Sequence, residues 1–183
     1  EAERCLSEGS RGFGEIHANS QSNILIDPGL MDPYTVMLEE HDYPLIVHGS
    51  EPVGHQYRGK GNTGPTALES FVEKFPNVKI ILAHWGAGLP FYELMPEISS
   101  TFANVFYDSA ATTLLYSEKV FEIVEKVVGP KRILFGSDYP LVQPKEIIGQ
   151  ISRSGFKPDV KSLILSNNAS ELFSINFDKH LKP

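Results

Sequence analysis

The chain has 183 residues, 41% hydrophobic and 21% charged, with a formal net charge of −7. That composition argues against a disordered or fibrous protein, and the acidic balance argues against a general nucleic-acid binder, which carries a basic patch. No run reaches the roughly 18 apolar residues of a membrane span, and a lone Cys5 leaves no internal disulfide or cysteine-zinc cluster.

The opening "EAERCLSEG" has neither the basic region nor the apolar core of a signal peptide, so a reducing cytoplasm is the expected home. Residues 1–9 read as the end of a helix, with Ala2, Cys5 and Leu6 apolar and Gly9 as a stop. "GFGEIH" (12–17) follows as a first strand. Asp32-Pro33 opens a helix over "PYTVMLEEHD", with Asp32 as its N-cap. "LIVHG" (45–49) is the second strand. Pro65 opens "PTALESFVEKF", whose Leu68, Phe71, Val72 and Phe75 form one stripe. "KIILAH" (79–84) and "NVFYDSA" (104–110) are the third and fourth strands. "SEKVFEIVEKVVGP" is capped by Ser117 and stopped at Gly129-Pro130, with Val120, Val124, Val127 and Val128 as its buried face. "RILFGSD" (132–138) is the fifth strand, Pro144 opens a helix that ends near Gly155, and 159–166 and 168–174 are terminal helical turns.

The strand starts lie 33, 34, 25 and 28 residues apart, close to the roughly 30 residues of a βαβ unit. The runs at 45, 79 and 132 are continuously apolar, which suits parallel strands covered on both faces. The expected class is α/β, with no linker or second domain within 1–183. A doubly wound open sheet and a (β/α)8 barrel both fit; the sequence lacks GxGxxG and P-loop patterns. Five strands are fewer than a closed barrel needs, and a helix at the start implies an earlier strand. The expectation is therefore a TIM-barrel type fold, present as its C-terminal portion of about five βα units, the N-terminal strands being absent.

Each strand finishes on a polar group: Glu15 and His17, His48, His84, Asp108 and Asp138. Carboxyl ends of parallel strands are where sites form. Neutral imidazole nitrogen and carboxylate oxygen are the ligands a divalent ion takes. Such an ion lowers the pKa of bound water to about 7, and a nearby carboxylate can accept its proton. Each residue also has a plain reading: Asp138 as a helix N-cap, His48 as a core histidine, Asp108 as a cap on the turn after its strand, Glu15 as partner of a basic group.

"VHGSEPVGH", "LAHWGAGLPF" and "ILFGSDYPL" resemble the metal-dependent amidohydrolase superfamily, in particular the amidohydrolase-related (amidohydrolase 2) group of hydrolases, lactonases and aromatic-acid decarboxylases. The resemblance covers about residues 11 to 175, with His48 to His84 at 36 residues and His84 to Asp138 at 54. It implies a distorted (β/α)8 barrel. It implies His48 as the strand-five metal ligand. His84 becomes a second ligand or the group that polarises substrate, and Asp138 both ligand and proton carrier. The family's HxH pair has no counterpart in these residues. Glu15, on the run that would be strand four, can substitute in part; TatD-like deoxyribonucleases carry a metal-binding glutamate there.

The glycine-rich "GHQYRGKGNTG" follows the His48 strand and suits a substrate lid, with His55 in the site and Arg58 clamping a carboxylate. The plain reading is a solvated loop. Trp85 is assigned to the substrate wall, with core as its plain reading. The expected function is a hydrolase in which metal-activated water attacks a carbonyl-type carbon of an amide, ester or lactone, with catalytic His84 and Asp138. The ion, held by His48, Asp138 and Glu15, is zinc first and manganese second. The first alternative is a decarboxylase of an unsaturated or aromatic acid. The second is an inactive partial barrel whose open edges persist through oligomerisation, as a homo-oligomer. The expected partner is a small-molecule substrate, a carboxylate among the candidates, with no nucleic acid and no membrane.

Overall fold

The computed structural model describes residues 1–17, 28–57 and 60–175. It divides into two compact units, Glu1–Asp108 and Ser109–Pro183.

In the first unit, α1 (Ala2–Ser7) leads to β1 (Phe13–Ile16). A 3-10 turn at Pro28–Met31 runs into α2 (Asp32–His41), followed by β2 (Leu45–Val47), α3 (Pro65–Lys74) and β3 (Ile80–Leu82). A 3-10 turn at His84–Gly88, α4 (Leu89–Tyr92) and α5 (Pro96–Thr101) then lead to β4 (Val105–Asp108). Each strand pairs in parallel with the one before it in the chain. Leu45, Ile46 and Val47 face Ile80, Ile81 and Leu82, which in turn face Val105, Phe106 and Tyr107. β1 joins β2 with a register shift between Phe13 and Ile16. One crossover per step in constant chain order is the winding of a (β/α)8 barrel.

The continuous apolar runs pay off in burial: all three residues of β3 are inside, as are Leu45 and Val47 of β2. Leu68, Phe71 and Val72 of α3 and Leu38 of α2 are buried as well. Each such side chain contributes about 1.5–3 kcal/mol by leaving water. Asp32 is not an N-cap. The residue before it, Met31, already has helical angles (φ −92°, ψ −14°), so the chain enters α2 without the extended residue from which a cap reaches back.

In the second unit, α6 (Thr112–Leu115), α7 (Lys119–Val128), β5 (Ile133–Leu134) and α8 (Pro144–Arg153) are followed by α9 (Pro158–Ser162), a π-helical turn at Leu163–Asn167 and α10 (Asn168–Leu172). The buried face of α7 is Val120, Phe121, Val124 and Val128; Phe121 takes the place expected of Val127. Ser117 still helps the helix start, its Oγ accepting from Lys119 N–H at 3.3 Å. The buried Asn168 amide donates to the carbonyls of Pro130 and Ile133 at 2.8 Å each, fixing α10 beside β5. No helix among the described residues is long and apolar enough to cross a membrane.

Candidate metal centre

The polar groups sit at the carboxyl ends of the strands or just past them. His48 directly follows β2, His84 lies two residues after β3, and Asp108 ends β4. Glu15 Oε1 sits 2.7 Å from His48 Nδ1 and 3.4 Å from His84 Nε2. One ligand atom from each of these three residues lies within 4.8 Å of the others. The His17 ring lies against that of His48, centroids 4.2 Å apart, so Glu15 and His17 reach the same neighbour from one strand. His48 meets His84 edge-on at 4.9 Å. Both rings are buried, while the Glu15 side chain is 39% exposed, leaving an opening on the carboxylate side.

Hydrogen bonds from His48 and from His84 hold the Glu15 carboxyl well below the usual carboxylate range, against a smaller upward push from desolvation. The carboxylate is therefore an anion placed between two imidazoles. That donor set, two neutral nitrogens and one carboxylate oxygen, suits zinc or manganese. An ion bonded at about 2.0–2.2 Å holds its ligands no more than about 4 Å apart, and the two measured pairs already satisfy that. The residues fit a divalent ion.

The backbone behind His84 is unusual. His84, Trp85, Gly86 and Ala87 all have φ between 54° and 59°, a left-handed turn of four residues. Such a conformation costs roughly 1–2 kcal/mol for each non-glycine residue. Asp108 Oδ1 accepts the His84 N–H at 3.0 Å and Gly86 N–H donates to Ala83 O at 2.9 Å. Two backbone N–H groups of the turn are thus engaged. Gly49 lets β2 approach the turn closely: a Cβ there would lie 2.9 Å from Ala87 N and 3.0 Å from Gly86 C.

Of the residues expected from sequence, Glu15, His48 and His84 are brought together. Trp85 is corrected: it is wholly buried, because the left-handed turn folds its ring into the core, and it offers no surface to a substrate. His55 is exposed, its ring against Tyr57 and its carbonyl accepting from Lys60 Nζ at 3.1 Å. Arg58 lies outside the described residues. Asp138 belongs to the second unit, where it is exposed with φ 67° and its carbonyl accepts from Leu141 and Val142 N–H. Sequence reasoning missed Ser50. It is buried, with Oγ 2.9 Å from His48 Nε2 and accepting Gly61 N–H at 3.1 Å. The signal was its two-residue spacing from His48, which keeps both on one side of an extended segment.

The Amidohydrolase family model (Amidohydro_2) matches residues 1–175. The chain belongs to the amidohydrolase family. Across 99% of its length it is 22% identical to 2-amino-3-carboxymuconate-6-semialdehyde decarboxylase of Dictyostelium discoideum, covering 58% of that relative. Among solved structures it resembles 5-carboxyvanillate decarboxylase LigW from Sphingomonas paucimobilis. The TM-score is 0.72 at 21% identity, with 96% of this chain and 62% of that one covered. It also resembles dihydroxybenzoic acid decarboxylase from Polaromonas sp. JS666, solved with manganese and the inhibitor 2-nitroresorcinol. There the TM-score is 0.72 at 19% identity, with 99% of this chain and 66% of that one covered. This amidohydrolase-family chain thus spans about three fifths of the length of the proteins it matches. The structural likeness establishes the α/β barrel-type fold.

Proposed function

We propose that this amidohydrolase-family protein is a metal-dependent decarboxylase of an aromatic or unsaturated carboxylic acid. The observation that carries the reading is the convergence of Glu15, His48 and His84 on one small volume at the carboxyl ends of β1, β2 and β3. Support for decarboxylation over hydrolysis comes from the relatives, whose names are those of decarboxylases. The sequence alone put hydrolysis first; the relatives reverse that order. The manganese in one neighbour likewise favours that metal alongside zinc.

Glu15, His48 and His84 would hold the ion. A bound divalent ion would supply positive charge that orients and neutralises a substrate carboxylate. Glu15, kept anionic, limits the net charge of the centre, and the buried His48 and His84 rings exclude water from two sides. Loss of carbon dioxide leaves an electron pair on carbon, which must take up one proton. His84 is proposed to steady this charge through the ion it would help to hold. The family resemblance adds Asp138 as ligand and proton carrier, and His55 and Arg58 as substrate contacts.

The test is direct. Purified protein loaded with manganese or zinc is given hydroxybenzoates and unsaturated dicarboxylates, and in parallel amides, esters and lactones. Release of carbon dioxide that depends on the metal, and is lost in His48→Ala, is expected. Metal-dependent hydrolysis without carbon dioxide would return the hydrolase reading. Absence of bound metal would sink both.

A further inference from the structure

The His48 ring is held at both nitrogens. Nδ1 faces Glu15 Oε1 at 2.7 Å and Nε2 faces Ser50 Oγ at 2.9 Å. Ser50 is only 2% exposed, and its own N–H donates to Thr63 O at 2.9 Å. Counting donors fixes the direction of each bond. Gly61 N–H can only donate, so Ser50 Oγ accepts from it and keeps one hydrogen to give. The Glu15 carboxylate can only accept, so in a neutral ring the hydrogen sits on Nδ1. Nε2 is then the acceptor, and the Ser50 hydroxyl donates to it.

An ion held by the three residues enters where Glu15 Oε1 lies between His48 Nδ1 and His84 Nε2. A ligating nitrogen carries no hydrogen. With Nδ1 on the ion, the single ring hydrogen of neutral His48 must sit on Nε2, with no net gain or loss of protons by the ring. Nε2–H then donates to Ser50 Oγ, which accepts a second bond beside that of Gly61 and turns its own hydrogen away. A hydroxyl can serve in both directions because it is donor and acceptor at once.

We infer that Ser50 is a reversible positioning residue for His48. It donates to Nε2 in the metal-free protein and accepts from Nε2 with an ion bound. It thereby keeps the ring aimed in both states and ties it, through Gly61 and Thr63, to the segment that follows β2. The metal-bound half rests on the metal reading above; the metal-free half rests on the hydrogen-bond geometry around a neutral ring. Partners that orient a ligating histidine are worth about 10–100-fold in metal affinity.

The experiment uses the full chain with isotope-labelled histidine nitrogens and zinc, which leaves spectra sharp. In the wild type, the His48 hydrogen is expected on Nδ1 without metal and on Nε2 with zinc. Ser50→Ala should leave the metal-free hydrogen on Nδ1, where Glu15 accepts it, but shift the Nε2 signal toward that of a ring nitrogen without a donor, and should lower zinc affinity about 10–100-fold. Ser50→Thr, which keeps the hydroxyl, should recover both, and thermal unfolding of each variant checks that it is folded. Unchanged His48 nitrogen signals in metal-free Ser50→Ala would overturn the donor half while leaving the metal reading intact. Zinc affinity within about twofold of wild type would overturn the acceptor half. A wild type that binds no zinc removes the metal reading and the acceptor half together, and the metal-free spectrum still decides the other.

Discussion

Asp108 Oδ1 accepts the backbone N–H of His84 at 3.0 Å, joining the end of β4 to the start of the left-handed turn after β3. The acid thus holds the backbone of a proposed ligand. Losing a charge-assisted bond of this kind costs about 1.5–3 kcal/mol. Asp108→Ala is therefore expected to lower the unfolding free energy by that order and to weaken zinc binding by about tenfold, the equivalent of about 1.4 kcal/mol. Asp108→Asn keeps an acceptor and should lose less of both. Denaturant unfolding with zinc titration checks this; equal losses in the two variants would mean that the charge, and not the bond to His84, matters.

The Glu15 carboxyl is held well below its ordinary range by His48 and His84. A depressed folded-state pKa stabilises above the unfolded value, near 4.3 for glutamate, and that stability disappears as pH falls through the folded value. Metal-free Glu15→Gln should therefore be less stable than wild type at pH 7 by about 1 kcal/mol, the half-exposed carboxylate being partly screened. The gap should be complete above about pH 5 and close only under strong acid. Urea midpoints along a pH series measure it. A gap that widens on acidification would contradict the assignment.

Much of this was legible in the chain itself, for identifiable reasons. Ile80, Ile81 and Leu82 announce a strand buried on both faces, and the first polar residues after such runs mark the site end of a parallel sheet. His48 and His84 follow from that rule, whereas Glu15, inside its own strand, is reached through the family resemblance. What lay beyond reach depends on pairing between distant segments. Asp108 reads as a cap for its own turn but serves the turn 24 residues earlier. The left-handed run through His84, Trp85 and Ala87 carries no signal, since only glycine, asparagine and aspartate advertise positive φ. That turn buries Trp85, which residue type alone would equally well put on a substrate wall.

Gly49 sets the separation of β2 from the His84 turn. A methyl group there would press on Ala87 N and Gly86 C, both backbone atoms that cannot rotate aside. Gly49→Ala should cost about 1–3 kcal/mol through overpacking. Because the displaced elements carry His48 and His84, zinc affinity should fall more steeply than for a destabilising change in an element that carries no proposed ligand, such as Ile147→Val in α8. Calorimetric zinc titration of both variants decides it. Parallel losses would show that Gly49 serves stability alone.

Both carboxylate oxygens of Glu51 are buried and, among the described residues, have no hydrogen-bond partner. An unmet buried polar group costs about 1–3 kcal/mol, and more when charged. Glu51→Met keeps the length of the side chain and removes the polar atoms. It is expected to raise the unfolding free energy of the metal-free protein by about 1 kcal/mol or more. Glu51→Gln removes the charge but leaves an amide in the same surroundings, so its gain should be smaller. Urea unfolding of the two variants orders them. If Glu51→Met is instead the less stable, the carboxylate has a partner in solution.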